Sequence, residues 1–139
     1  MTLHISEDTL DWALQHIERY GDTDIFPVPF EYEAIRFDWA NIRGYLSRQD
    51  LDTYVTRLYR RCLSPKHRFG FRISTQLDPF DTLIYTSLVY EIGLEIEAKR
   101  VPVGNNTVFS YRFDSDANGR LFKPDVGYDG FLKRCRENI

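Results

Sequence analysis

Apolar residues recur along this chain at two spacings, one helical and one extended. Ser6, followed by acidic residues and then by Leu10, Leu14 and Ile17, reads as a capped amphipathic helix ending at Gly21. Asp22 to Phe30 carries Pro27 and Pro29, cannot continue a helix, and is expected to be an extended connector. From Glu31 to Ser47 the residues Ala34, Ile35, Trp39, Ile42 and Leu46 return to helical spacing. Leu51 to Cys62 predicts a further helix with Leu51, Val55, Leu58 and Tyr59 inward, stopped by Pro65. Between Arg68 and Gln76 the period changes to two. Phe69, Phe71 and Ile73 fall to one side and Arg68, Arg72 and Ser74 to the other, which predicts a strand.

Asp78-Pro79 then opens a long helix, with Asp as N-cap and Pro at the first helical position. Phe80, Leu83, Ile84, Leu88 and Ile92 line one face and Val89 and Ile96 widen it, so this helix is expected to be the most buried. Gly104-Asn105-Asn106 predicts a turn, Thr107 to Phe113 a second strand, and Tyr128 to Glu137 a terminal helix. The expected fold is α+β. About five helices surround a small antiparallel hairpin built from the runs 68–76 and 107–113, in a single domain over residues 1–139.

Composition narrows this picture. A chain of 139 residues with 42% hydrophobic and 28% charged residues can fold around a modest core. The formal charge of −3 argues against nucleic-acid binding by bulk charge, but leaves room for a local basic stripe. Cys62 and Cys135 form no paired spacing and read as reduced thiols. No apolar run reaches the ~18 residues of a membrane span and no signal-peptide core opens the chain, so a cytoplasmic protein with no membrane partner is expected.

Several groups of residues invite a chemical reading. Asp114-Ser115-Asp116-Ala117-Asn118-Gly119, with Asp125 in the twelfth place, fits the calcium-loop template. A strand is expected where that template needs a helix, and the twelfth ligand is the shorter Asp. A hairpin turn with Asn-Gly supplying positive backbone angles is the favoured account. Lys66, His67, Arg68 and Arg72 form a basic cluster around the first strand. Arg57, Arg60 and Arg61 would share one side of the helix expected before Pro65. Glu91, Glu95 and Glu97 follow a surface-type helical pattern, and His4, His16 and His67 lack metal-ligand spacing. No catalytic residue and no metal ligand is assigned.

The order of elements from Phe71 to Phe113, about a third of the chain, resembles the fingers region of bacterial reverse transcriptases. In the group II intron, retron and abortive-infection enzymes a basic R-P-x-x-I-P-T strand leads into a D-R-I-V-Q helix. That helix ends in an acidic L-E-P-x-F-E stretch, and an S-Y-G-F-R element follows. Here Phe71-Arg72-Ile73-Ser74-Thr75 stands at the strand and Leu77-Asp78-Pro79-Phe80-Asp81 at the helix start. Leu94-Glu95-Ile96-Glu97 stands at its end, and Ser110-Tyr111-Arg112-Phe113 at the last element. The proline of the first element is absent. The glycine of the last is replaced, so its arginine comes one place earlier.

The resemblance implies the N-terminal fingers part of an RNA-directed DNA polymerase, a nucleotidyltransferase in the full protein, with phage defence as one setting. Arg72 is then the first candidate to hold the incoming nucleotide's triphosphate, with Lys66 and Arg112 behind it. Arg57, Arg60, Arg61 and Arg68 would meet a template or primer backbone, or else form a solvated face. The family's polymerase carboxylates sit in a later strand with Asp and in a Y-x-D-D turn, and neither pattern occurs in these residues. The chain alone is therefore expected to be inactive. Mg²⁺ is expected only with the missing palm domain, and template, primer and deoxynucleotides are partners of the whole enzyme. The competing expectation is a stand-alone interaction or regulatory domain whose arginine-rich helix acts as a protein-binding face.

Overall fold

A computed structural model describes all residues except 1, 2, 22–25, 27, 67, 106, 109, 125, 138 and 139. Among these residues, five α-helices and one two-stranded antiparallel sheet make an α+β fold. In chain order these are α1 (Glu7–Tyr20), α2 (Glu31–Phe37), α3 (Trp39–Ser47), β1 (Arg60–Lys66), β2 (Gly70–Gln76), α4 (Pro79–Ala98) and α5 (Tyr128–Glu137).

The strongest local signals form as expected. The Ser6 hydroxyl accepts the Thr9 amide at 3.1 Å, and Gly21, at φ 79°, closes α1 by returning its own amide to Ile17 at 2.8 Å. Asp78 caps α4 through the Phe80 amide at 3.0 Å. Leu10, Ala13, Leu14 and Ile17 of α1 join Leu83 and Ile84 of α4, with Tyr32, Ile35 and Leu46 closing the main core. A smaller cluster of Trp12, Phe113 and Leu121 lies on the other side of α1, against Val89 and Tyr90. The connector expected over 22–30 falls largely outside the described residues.

Several expectations are corrected. The helix expected over Glu31 to Ser47 breaks at Asp38, whose backbone (φ −114°, ψ 31°) leaves helical space. The break lets Trp39 and Arg43 both reach Asp11 of α1, at 2.6 and 2.7 Å. No helix covers Leu51 to Cys62. Residues 51–53 turn, 54–59 are irregular, and β1 begins at Arg60. Val55 and Leu58 are 83% and 94% exposed, so their helical spacing meets no core.

The strand partner is also different. β2 pairs with β1, in register from Arg60↔Gln76 to Lys66↔Gly70, and not with residues 107–113. That later segment contributes one isolated bridge, Phe113↔Phe122, and residues 103–105 form a 3₁₀ turn where a simple turn was expected. Pro65 sits inside β1, which a two-stranded sheet tolerates because each strand has a free edge. Finally, the alternation in β2 holds, but Phe71 and Ile73 face solvent while Ser74 and Gln76 are buried. The same inversion affects α4, where Ile92 and Ile96 are exposed although Leu83 and Ile84 are buried.

Candidate functional site

The β1–β2 hairpin has two unlike faces. Directly opposed residues share a face, so Leu63↔Ile73 and Pro65↔Phe71 make one apolar side. Ser64↔Arg72 and Lys66↔Gly70 make the other. Lys66 and Arg72 are diagonal neighbours there, a relation that places side-chain stems about 7–8 Å apart. Arg68 occupies the turn. Lys66, Arg68 and Arg72 are all exposed, and their side chains have no partner among the described residues. His67, grouped with them from sequence, lies outside the described residues.

The other cations are placed differently. Arg57 is part of a brace between the irregular 54–59 segment and the first turn of α4. Its amide donates to Asp81 Oδ2 at 2.7 Å, and its guanidinium lies 2.6 Å from Tyr54 Oη and 4.8 Å from the Phe80 ring centre. Tyr54 in turn donates to Asp81 Oδ1 at 2.5 Å. Burial, then this bond to a carboxylate, pushes the Tyr54 hydroxyl up to about 12. Arg60 ion-pairs with Glu31, and Arg61 both bonds the Tyr59 hydroxyl and stacks 4.8 Å from its ring centre. Because Arg60 and Arg61 sit on a strand, they point to opposite faces, and the single basic side expected from helical spacing does not form.

Arg112 belongs to a separate cluster at the far end of α4. It is 6% exposed, ion-pairs with Glu97 and donates to the Val101 carbonyl at 2.8 Å. Glu97 also accepts the Phe113 amide at 3.0 Å and pairs with Arg100 at 3.1 Å. Burial opposes charge on Glu97, but the Phe113 amide, Arg112 and Arg100 outweigh it, and its pKa is lowered. Arg100 also donates to the Tyr111 carbonyl at 2.5 Å and to the Ser110 hydroxyl. One helical turn earlier, a Cβ on Gly93 would stand 2.2 Å from the Phe113 ring. The acidic end of α4 and Ser110-Tyr111-Arg112-Phe113 are thus bolted together residue by residue. From Pro79 to Glu97 the helix runs about 27 Å, so Arg112 is anchored well away from the point where the hairpin enters α4.

The calcium-like loop is docked on α1. Trp12, His16 and Arg19, which share one helical face, bond the carbonyls of Asp116, Gly119 and Asn118 at 2.7, 2.7 and 3.2 Å. Asp116 Oδ1 accepts the amides of Asn118 and Arg120, and the Arg120 guanidinium pairs with Asp114 and Asp116 at 3.4 and 3.8 Å. Gly119, at φ 79°, lies against the α1 backbone, where a Cβ would stand 3.0 Å from the His16 nitrogen. Asp125 lies outside the described residues.

Sequence reasoning missed the Tyr54–Asp81–Arg57 brace and the Gly93–Glu97–Arg100 clamp. Asp81 at the third position of a capped helix and Gly93 inside an otherwise apolar helix were the visible signals. Among the described residues, no group of three His, Cys, Asp or Glu side chains gathers to hold a metal. No described helix is long and apolar enough to cross a membrane. Compared with protein-family models, curated proteins and solved structures, the chain matches none.

Proposed function

We propose that this chain is the fingers part of an RNA-directed DNA polymerase, handling template and incoming deoxynucleotide in the cytoplasm. Phage defence is the biological setting we favour. The observation that carries the reading is the hairpin. Its basic face holds Lys66 and Arg72 as diagonal neighbours, with Arg68 in the turn, and all three are exposed with no side-chain partner among the described residues. Free guanidinium and ammonium groups on a projecting strand suit the oxygens of a triphosphate, which Arg binds in bidentate fashion.

Support comes also from the segments that carry the resemblance. β2 passes directly into the Asp78-capped helix, and the acidic end of that helix grips Ser110 to Phe113. Elements recognised by their order in sequence therefore form one continuous unit. Arg72 and Lys66 are the proposed triphosphate contacts and Arg68 a proposed backbone contact. For Arg57, Arg60, Arg61 and Arg112 a nucleic-acid or nucleotide role would require breaking the pairs described above. The palm domain would supply the carboxylates and the Mg²⁺ ions they bind.

A second reading keeps one observation in its favour. Leu63, Phe71 and Ile73 form an exposed apolar face on the hairpin, which suits a stand-alone interaction domain. The gene downstream of the Ile139 codon separates the two. A continuing frame with a strand Asp and a Tyr-x-Asp-Asp turn supports the polymerase, and an immediate stop codon overturns it in favour of the interaction domain.

A further inference from the structure

A cavity of about 470 Å³ opens between α2, α3 and the first turn of α4, and no role above uses it. Its size falls in the ~300–1,000 Å³ range of small-ligand sites. Phe30, Ala34 and Asp38 stand at successive helical turns along α2 and its two caps, and Ile42 continues that wall on α3. Pro79 and Phe80, at the start of α4, add further apolar lining. The two rings are unequal. Phe80 carries the Arg57 guanidinium 4.8 Å from its centre, whereas Phe30 is 79% exposed and open to a ligand.

The polar lining identifies the occupant. Three carboxylates, Glu31, Asp38 and Asp78, face this cavity with one guanidinium, Arg57. Arg57 is already engaged by Tyr54 Oη at 2.6 Å, Asp81 at 3.4 Å and Asp78 at 3.8 Å, so it offers little to an acidic ligand. Glu31 pairs with Arg60 through Oε1. Its own backbone amide first, then Arg60, hold its carboxyl below the usual carboxylate range. Oε2 is nonetheless buried and completes no hydrogen bond among the described residues. Asp38 accepts the Asn41 side-chain amide at 2.6 Å through Oδ1 and has no cationic partner among the described residues. With Asp81 behind Arg57 and Arg60 behind Glu31, four carboxylates meet two guanidiniums, a net charge of −2. A buried carboxylate oxygen without a donor is costly, and a charged donor relieves it best. A hard metal ion would need six or more oxygens, and no such cluster gathers among the described residues. An ammonium supplies both the donor and the charge, and an apolar body behind it would rest on Phe30, Ile42 and Pro79, where the open Phe30 ring also attracts the cation.

We infer that the Phe30–Glu31–Asp38 cavity is a binding site for a small amphiphilic amine, an ammonium group on an aromatic or aliphatic body, independent of the hairpin's basic face. The test is calorimetric titration of the whole chain with phenethylamine, with 2-phenylethanol as the neutral analogue of the same shape and 3-phenylpropionate as the acidic one. The amine should bind at least about tenfold more tightly than the alcohol, the value of a charge-assisted contact, and the acid should not bind. Glu31→Gln should weaken amine binding by about ten- to a hundredfold. Phe30→Ala should weaken it by about two- to fivefold, the effect of an exposed cation–π contact. Asp38→Asn should weaken it as well. Phe30 and Asp38 are exposed and Glu31 gives up only a surface pair, so melting temperatures should hold. If Glu31→Gln fails to fold, the Phe30 and Asp38 variants carry the test. Arg72→Ala should leave amine affinity unchanged, whatever it does to nucleotide use. Equal affinity for amine and alcohol, preference for the acid, or full amine affinity in the Phe30 and Asp38 variants would overturn the inference and leave the hairpin reading standing.

Discussion

Replacing Gly93 with alanine should destabilise this protein, against the ordinary preference of helices. Within α4 alone the change is favourable, because alanine is about 0.8–1.0 kcal/mol better than glycine in a helix interior. The packing term opposes it. The new Cβ would lie 2.2, 2.4 and 2.5 Å from three atoms of the Phe113 ring, whereas carbon atoms in contact prefer about 3.5–4.0 Å. The ring cannot slide away cheaply. It is 9% exposed, sits with Trp12 and Leu121, and its backbone amide is held by Glu97 at 3.0 Å. Overpacking of this kind costs up to ~3 kcal/mol, and expelling the ring forfeits as much as the ~3–5 kcal/mol of a Phe→Ala truncation. Net of the helix gain, Gly93→Ala should lose about 2–4 kcal/mol. At roughly 4 °C per kcal/mol for a chain of this size, the melting temperature falls by about 8–16 °C. Thermal and urea melts followed by circular dichroism measure this. The decisive comparison is the Phe113→Ala background, where the Cβ enters emptied space and Gly93→Ala should stabilise by about 0.5–1 kcal/mol. An equal effect in both backgrounds, or a stabilised single variant, would refute the packing argument.

Three further outcomes are expected. In the full polymerase, Arg72→Ala should lower catalytic efficiency for nucleotide by roughly ten- to a hundredfold, the value of a lost charge-assisted contact of ~1.5–3 kcal/mol. The melting temperature should move little, and unchanged nucleotide kinetics would remove Arg72 from the site. Calcium at millimolar concentration should raise the melting temperature no more than magnesium does. Asp114 and Asp116 are already paired with Arg120, and a calcium-specific rise near the ~2.7 kcal/mol expected at a hundredfold excess over Kd would reverse this. Glu97→Gln should destabilise at neutral pH by about 3 kcal/mol, because it leaves the buried Arg112 without its counter-charge. Since the Glu97 pKa is lowered by folding, its charge stabilises fully above the unfolded value and is lost as the pH falls through the folded one. A comparison of melting temperatures should therefore show wild type and Glu97→Gln converging below about pH 4.5, and a gap that persists unchanged into acid would contradict the assignment.

Sequence alone determined the elements whose instructions lie within one turn of chain. Ser6 and Gly21 bound α1, Asp78-Pro79 opens α4, and Tyr128 to Glu137 forms α5, because caps and helical spacing act over three or four residues. The α+β class followed from the same signals together with the alternation in β2. Tertiary structure decided the rest. Residues 51–59 have helical spacing but form no helix, since Leu51 and Tyr54 pack on the core, Asp81 draws Tyr54 and the Arg57 amide into an irregular brace, and Val55 and Leu58 are left exposed. Arg60 to Lys66 carries no alternating apolar pattern and becomes a strand only because β2 lies close enough in sequence to pair with it, which left residues 107–113 free to dock on α4. The candidate site divides in the same way. The cationic residues themselves are visible in sequence, but their availability depends on where the carboxylates fall in space. Glu31 takes Arg60, Asp81 braces Arg57 and Glu97 takes Arg112, while at the turn end of the hairpin no acidic side chain among the described residues reaches Lys66, Arg68 or Arg72.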